Sequence, residues 1–153
     1  LATTRRLLER VPDGHMAWKP HEKSMTLGRL SMHIAEIPAA AQRVLTSDSF
    51  HLMAPGQPPP TRREAATGAE ALETFDANAA QLRAALNEVD DATLEKPWTL
   101  LRAGKEVFTD PKLVALRRRG ISHMVHHRAQ LGVYLRLLDV PIPGSYGPSA
   151  DEG

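Results

Sequence analysis

The chain contains no cysteine, which removes several kinds of site at the outset. Disulfide bonds, thiolate metal sites and a cysteine nucleophile are all excluded. Long apolar runs are also lacking, since no stretch approaches the roughly 20 residues that span a bilayer. The net charge is only +1 and the basic residues are dispersed. We therefore expect neither a membrane nor a nucleic acid as partner.

What remains is the composition of a globular protein. Apolar residues make up 42% and charged residues 24% of the 153 positions, which is enough for one domain with its own core. We expect a single domain over residues 1–153, with a trimmed N-terminus because the chain begins inside a helical pattern. Residues 140–153 are rich in Pro and Gly and are expected to form an extended tail. No secretory signal is recognisable, so a cytoplasmic location is the default expectation.

Apolar periodicity divides the chain into four amphipathic segments that are expected to be helices. They cover residues 1–11, 27–47, 68–89 and 111–138. Thr26 and Thr67 stand where the second and third helices need N-cap residues. Pro111 is expected at the first position of the fourth helix, which favours proline.

The connecting segments are predicted to be mostly irregular. Residues 48–63 include PGQPPP and indicate a surface loop. Residues 90–95 suggest one short helical turn, and residues 97–108 suggest a short hairpin around residues 102–105. Because the four long segments are all helical, the predicted fold class is all-α, as an up-and-down four-helix bundle.

Three histidines fall within five residues of the last predicted helix, in the stretch ISHMVHHRAQL. His123 and His127 are four residues apart, so they lie one turn apart on the same helical face. That face also carries the apolar residues Leu131 and Tyr134. A buried imidazole is costly unless its nitrogens have partners. A divalent metal that binds both rings is one solution, and hydrogen bonds to backbone or water are the other.

A candidate third ligand lies on the second predicted helix. His33 is at the margin of that helix's apolar stripe, and Pro38 follows about one turn later. Proline cannot donate to the carbonyl one turn before it, so a kink there would open space near the imidazole. Helical bundles commonly build metal sites from facing helices. His33 can therefore meet His123 and His127 if the two helices are neighbours, which sequence order does not prove.

The segments that carry these histidines resemble the DinB-like family of four-helix-bundle metalloproteins, which is related to the bacillithiol- and mycothiol-dependent transferases. The resemblance covers nearly the whole chain. It is carried by TLGRLSMHIAEIP at 26–38, HMVHHRAQLGVYLR at 123–136, AWKPHEKS at 17–24 and PIPGSYGPSAD at 141–151.

The resemblance implies a divalent metal ion bound by His33, His123 and His127, and it implies a homodimer. His126 occupies the position that is not a ligand. Ala129 stands where the family motif commonly has Gly, and we expect little consequence from this difference.

Three neutral imidazoles leave a divalent ion its full charge and at least one open position, as in catalytic rather than structural sites. Zinc and nickel are favoured for such a ligand set, and iron and copper also suit it. Each ligand must be deprotonated, so binding should fail as the pH falls well below about 6.5. Gln130 lies on the same stripe and is expected either to orient a water or substrate at the catalytic site or to satisfy a polar group in the core.

The resemblance suggests an enzyme that transfers a low-molecular-weight thiol to a small electrophile. The runner-up activity is metal-dependent hydrolysis. It is weakened because no carboxylate falls on the histidine stripe to act as a general base. A metal-binding or sensing bundle without catalysis is a third interpretation, so the sequence leaves open whether the protein is an enzyme.

Overall fold

Six α-helices and a three-stranded sheet make up residues 1–152, the part of the chain that the computed structural model describes. The helices are α1 (Ala2–Leu8), α2 (Leu27–Thr46), α3 (Gly68–Glu88), α4 (Asp91–Glu95), α5 (Lys112–Leu116) and α6 (His123–Leu137). The strands are β1 (Ser49–His51), β2 (Pro97–Arg102) and β3 (Lys105–Pro111). A π-helical turn, Arg117–Ser122, joins α5 to α6. None of the helices within residues 1–152 is long and apolar enough to cross a membrane.

The predicted all-α four-helix bundle is wrong, because a mixed sheet is part of the fold. β2 and β3 form the hairpin that the sequence suggested, and its two turn residues, Ala103 and Gly104, have positive φ angles of 51° and 77°. β1 lies inside the segment predicted to be a loop and pairs in parallel with β2. The sheet is fixed to the helices because Trp98 and Leu100 pack against Val44 of α2.

Side-chain caps start the two longest helices, as predicted. The hydroxyl of Thr26 accepts from the N–H of Arg29 at 3.0 Å, and that of Thr67 accepts from the N–H of Glu70 at 3.1 Å. These bonds satisfy N–H groups that have no partner within the helix. The last helical stretch begins at Lys112 rather than at Pro111, because the proline still belongs to β3.

The core is built around α2, which packs against both α3 and α6. Its most deeply buried large side chains are at most 1% exposed: Leu27, Leu30, Met32, Ile34, Ile37 and Val44. Pro38 is buried within α2 without ending the helix. From α3 comes Phe75, and from α6 come Leu131 and Leu135. This arrangement makes the helix of His33 a neighbour of the helix of His123 and His127.

Candidate metal centre

The side chains of His33, His123 and His127 meet between α2 and α6. Their Nε2 atoms form a nearly equilateral triangle. The distances are 3.2 Å from His33 to His123, 3.1 Å from His33 to His127 and 3.0 Å from His123 to His127. The structure therefore brings together the three rings that the sequence analysis selected. That they bind a metal stays a prediction.

The size of this triangle fits one small divalent ion. Nitrogens that bind zinc at 2.0–2.1 Å in a tetrahedral arrangement lie roughly 3.3 Å apart, close to the observed 3.0–3.2 Å. Within residues 1–152, this is the one group of three or more His, Asp or Glu side chains whose donor atoms lie close enough together to hold an ion. The donor set therefore fits a divalent metal.

Hydrogen bonds between the three rings cannot give every Nε2 atom a partner. A neutral imidazole carries one N–H and one lone pair. A hydrogen bond along one edge therefore leaves the third nitrogen without a full partner of its own. A cation accepts all three lone pairs at once, which explains why three Nε2 atoms at mutual distances of 3.0–3.2 Å favour a metal site over a hydrogen-bonded cluster.

Gln130 sets the tautomer of His127. Its side-chain oxygen lies 2.6 Å from Nδ1 of His127. An amide oxygen only accepts, so Nδ1 of His127 must carry the proton and its Nε2 presents a free lone pair. Gln130 thus contacts the far side of a candidate ligand, and we expect it to position that ring rather than to contact a substrate.

Arg29 favours the opposite tautomer of His33, with the proton on Nε2. Its Nη2 lies 3.3 Å from Nδ1 of His33. A guanidinium only donates, so this contact places the proton of neutral His33 on Nε2, where it can donate to His127. Binding of a metal through Nε2 requires that proton to leave. Arg29 already contacts the carboxylate of Glu36 at 3.2 Å. Metal binding and the contact between Arg29 and His33 therefore compete.

His123 has a free nitrogen behind the site. Its Nδ1 is buried and has no hydrogen-bond partner within residues 1–152. No contact of that nitrogen therefore fixes the tautomer of this ring. The three rings are consequently not equivalent. Gln130 already holds His127 in the tautomer that a ligand needs, the tautomer of His123 is not fixed, and His33 must lose its contact with Arg29.

Burial lowers the pKa of all three imidazoles. Desolvation is the main cause, and the other histidines and nearby arginines add to it. The pKa of His33 falls to about 3 and that of His123 to about 4. Desolvation also lowers the pKa of His127, although its bond to Gln130 opposes the shift. The rings are therefore neutral near pH 7, as metal ligands must be.

These shifts predict that the metal-free protein loses stability as the pH falls from about 6.5 toward 4. Histidines of the unfolded chain titrate near 6.5, well above His33 and His123 in the folded protein. Within that window the unfolded chain binds more protons, so acid favours unfolding. Urea unfolding at pH 7 and pH 5 measures the loss. The loss of unfolding free energy between the two pH values should be smaller in the double variant His33→Ala/His123→Ala than in the parent. It should equal that of the parent in His51→Ala, which changes an exposed histidine.

A cavity of about 450 Å³ opens onto the three histidines. Part of its wall is apolar and comes from the segment that follows β1, including Leu52, Met53, Pro59 and Pro60. The sequence predicts a surface loop here and gives no sign that it lies beside the histidines. Its length and proline content were visible, but its position over the histidines depends on β1 pairing with β2.

Other residues considered from the sequence lie outside the triangle. His126 is exposed, with its ring centre 4.7 Å from that of His127. Tyr134 is buried and donates its hydroxyl to the carbonyl of Met25 at 3.1 Å. Trp18 packs edge-on against Tyr134, with ring centres 5.5 Å apart. Tyr134 is therefore a core ring whose hydroxyl is hydrogen-bonded.

A π-helical turn, where the sequence predicts a continuous α-helix, lies directly before His123. Such turns are rare and occur often at functional sites. Gly120 lies within it, and a Cβ at this position would be 3.1 Å from the Cβ of Ala41 in α2. Glycine therefore lets this turn approach α2 closely. A glycine inside a helical pattern was the available signal.

Loss of the Gln130 side chain should weaken metal binding. We expect Gln130→Leu to raise the zinc Kd by about 10- to 100-fold, because the Nδ1–H of His127 loses its acceptor. Gln130→Glu keeps an acceptor at the same distance and should stay close to the parent. Competition with a chromogenic chelator measures both constants. Equal weakening in the two variants would contradict the positioning role.

Taken together, a helical core with a small mixed sheet and a cluster of three histidines defines a class of candidate metal-binding proteins. The family model of the DinB superfamily matches residues 1–131. The chain belongs to the DinB superfamily, as the sequence motifs predicted.

Comparison with individual proteins agrees with this assignment. An uncharacterized protein, YrdA, from Bacillus subtilis (strain 168) is 27% identical over 150 residues, which is 97% of this chain and 83% of that protein. The fold is similar to the crystal structure of a DinB-like protein from Bacillus cereus ATCC 10987. The TM-score is 0.66 and the identity 19%, over 95% of this chain and 89% of that one.

A second crystal structure, of the DinB-like protein YjoA from Bacillus subtilis, gives a TM-score of 0.69 at 17% identity. That match covers 94% of this chain and 90% of the other. At these identities the two structures show that the fold is shared, and nothing beyond it.

Proposed function

We propose that the protein binds one divalent metal ion through His33, His123 and His127 and transfers a low-molecular-weight thiol to a small electrophile. The observation that carries the metal site is the triangle of Nε2 atoms with sides of 3.0–3.2 Å. The family and the open cavity support the transfer reaction. The homodimer and the cytoplasmic location expected from the sequence stay predictions.

A divalent ion on three neutral ligands supplies a Lewis acid that lowers the pKa of a thiol or water bound to it. The protein supplies the rest. Gln130 holds the ring of His127, and burial keeps the three imidazoles neutral. The apolar wall from Leu52 and Met53 excludes part of the solvent and leaves room for a small molecule beside the histidines.

The cavity wall favours thiol transfer over hydrolysis. Hydrolysis commonly uses a carboxylate as general base near the metal. No Asp or Glu of residues 1–152 lines the 450 Å³ cavity. Glu36 lies in an adjoining cavity, and its carboxylate is bound by Arg29. Zinc and nickel stay the favoured metals in this proposal, since three nitrogen donors suit both, as they also suit iron and copper.

Activity should depend on both the metal and a thiol. We expect the zinc-loaded or nickel-loaded protein to consume thiol in the presence of small electrophiles, and we expect chelation to abolish this activity until metal is restored. The assay follows free thiol against a panel of electrophiles. His126→Ala removes a neighbouring histidine that is not a candidate ligand and should keep the activity.

Either of two results would reject thiol transfer and indicate another function. Turnover of esters without any thiol would indicate a metal-dependent hydrolase. A tightly held ion with no turnover of either substrate class would indicate a binding or sensing protein.

A further inference from the structure

The cavity over the histidines is strongly cationic. Four arginines line it: Arg29, Arg62, Arg102 and Arg119. They come from α2, from the segment after β1, from the end of β2 and from the π-helical turn. No Asp or Glu of residues 1–152 lines this cavity. The carboxylate of Glu36 lies in the adjoining cavity and pairs with Arg29, which leaves the other three charges without a carboxylate partner. Four separate parts of the fold thus bring positive charge to one small space.

Of these four arginines, only Arg29 forms side-chain hydrogen bonds or ion pairs within the part of the chain that the structure describes. Arg29 is 9% exposed and contacts Glu36, the ring of His33 and the carbonyl of Arg63. Within residues 1–152, the other three make no ion pair with a carboxylate. Exposed arginines without partners are common on protein surfaces and alone carry no meaning. Here, however, all three line the cavity of the histidines.

Arg119 is the informative member of the set. It is half-buried, four residues before His123. Burial, and then the charge of Arg118, lower its pKa. A partly desolvated cation without an anionic partner is unfavourable. The charge of Arg119 also lowers the pKa of His123, and the charges of Arg29 and Arg62 lower that of His33. All four arginines line the same cavity as the three histidines, so one ligand in it can contact both sets of side chains.

We propose that the ligand of this cavity is a small acid with at least two negative charges, bound by Arg62, Arg102 and Arg119 beside the histidine triangle. Guanidinium groups bind carboxylates and phosphates with paired hydrogen bonds, and three unpaired groups match more than one anionic group. A cavity of about 450 Å³ limits the ligand to a small molecule. That this acid is a substrate rests on the proposed function, whereas the proposal that the acid binds here is independent of that function.

Calorimetric titration with three simple probes tests the inference. Succinate carries two carboxylates, succinamide has the same skeleton without charge, and inorganic phosphate provides the other anionic chemistry. Succinate and succinamide are titrated into metal-free and zinc-loaded protein, and phosphate into metal-free protein only. We expect at least one dianion to bind about tenfold or more tightly than succinamide, and added salt should weaken it. The better dianion assigns carboxylate or phosphate as the anionic group.

Matched variants separate the cavity from general surface charge. Arg119→Gln should weaken binding of the preferred dianion roughly tenfold, since it removes a charge-assisted hydrogen bond. Arg62→Gln changes an exposed residue, so folding is not at risk, and it should weaken binding in the same direction. Arg117→Gln lies on the same π-helical turn, is exposed and does not line the cavity, so it should leave binding unchanged.

Binding of both dianions no tighter than that of succinamide would overturn the inference, as would equal losses in Arg117→Gln and Arg119→Gln. Thiol transfer is measured separately. Dianion binding that depends on Arg119, without any thiol consumption, would keep this inference and reject the proposed function. Thiol transfer by a protein that does not prefer dianions would keep the proposed function and reject this inference.

Discussion

The single variants His33→Ala, His123→Ala and His127→Ala should each bind zinc more than about a hundredfold more weakly than the parent. Loss of a partner that only positions a ligand already costs 10- to 100-fold, so loss of a ligand costs more. Each Nε2 atom lies within 3.2 Å of both others, so no ring is peripheral to the site. Metal content of protein purified without a histidine tag, together with chelator competition, measures the effect.

The matched control for this prediction is His126→Ala. This residue is exposed and adjacent to His127, yet it lies outside the triangle, so metal content should stay at the parent level. The triple variant should still unfold in one cooperative thermal transition, because the apolar core around α2 rather than the ion holds the fold. Equal metal in the triple variant and the parent would reject these ligands.

The second large effect concerns the packing that brings α6 to α2. Leu131 is 0% exposed and lies one turn after His127. We expect Leu131→Ala to destabilise the protein by about 2–5 kcal/mol, through lost burial and the cavity left behind. For a domain of this size the melting temperature should fall by roughly 5 to 15 °C. Urea and thermal unfolding of the metal-free protein measure both quantities.

The control on the same helix is Val133→Ala. Val133 is 59% exposed, so its truncation should change the free energy of unfolding by less than about 0.5 kcal/mol. Similar losses in the two variants would mean that α6 is not held by the buried face seen here.

Helical periodicity was enough to find the metal-binding candidates. The four-residue spacing of His123 and His127 fixes both on one face of a helix, and His33 lies at the margin of another apolar stripe. Each pattern involves residues close together in the chain, so the sequence alone reveals it. The contact between α2 and α6 joins residues far apart in the chain, and the family motifs rather than periodicity indicated it.

The sheet and the cationic cavity could not be predicted in the same way. β1 has only three residues, and it forms because Ser49 to His51 can pair with β2 from another part of the chain. Such pairing leaves almost no local signal. The gathering of Arg62, Arg102 and Arg119 depends in turn on that sheet, since one of them ends β2 and another follows β1. Dispersed basic residues in the sequence became a cluster only in three dimensions.

X-ray diffraction from crystals of the zinc-loaded protein, recorded on both sides of the zinc absorption edge, locates the bound ion. We expect one strong anomalous peak within bonding distance of Nε2 of His33, His123 and His127. An anomalous peak elsewhere in the molecule, or a zinc ion bound without the ring of His33, would contradict this expectation.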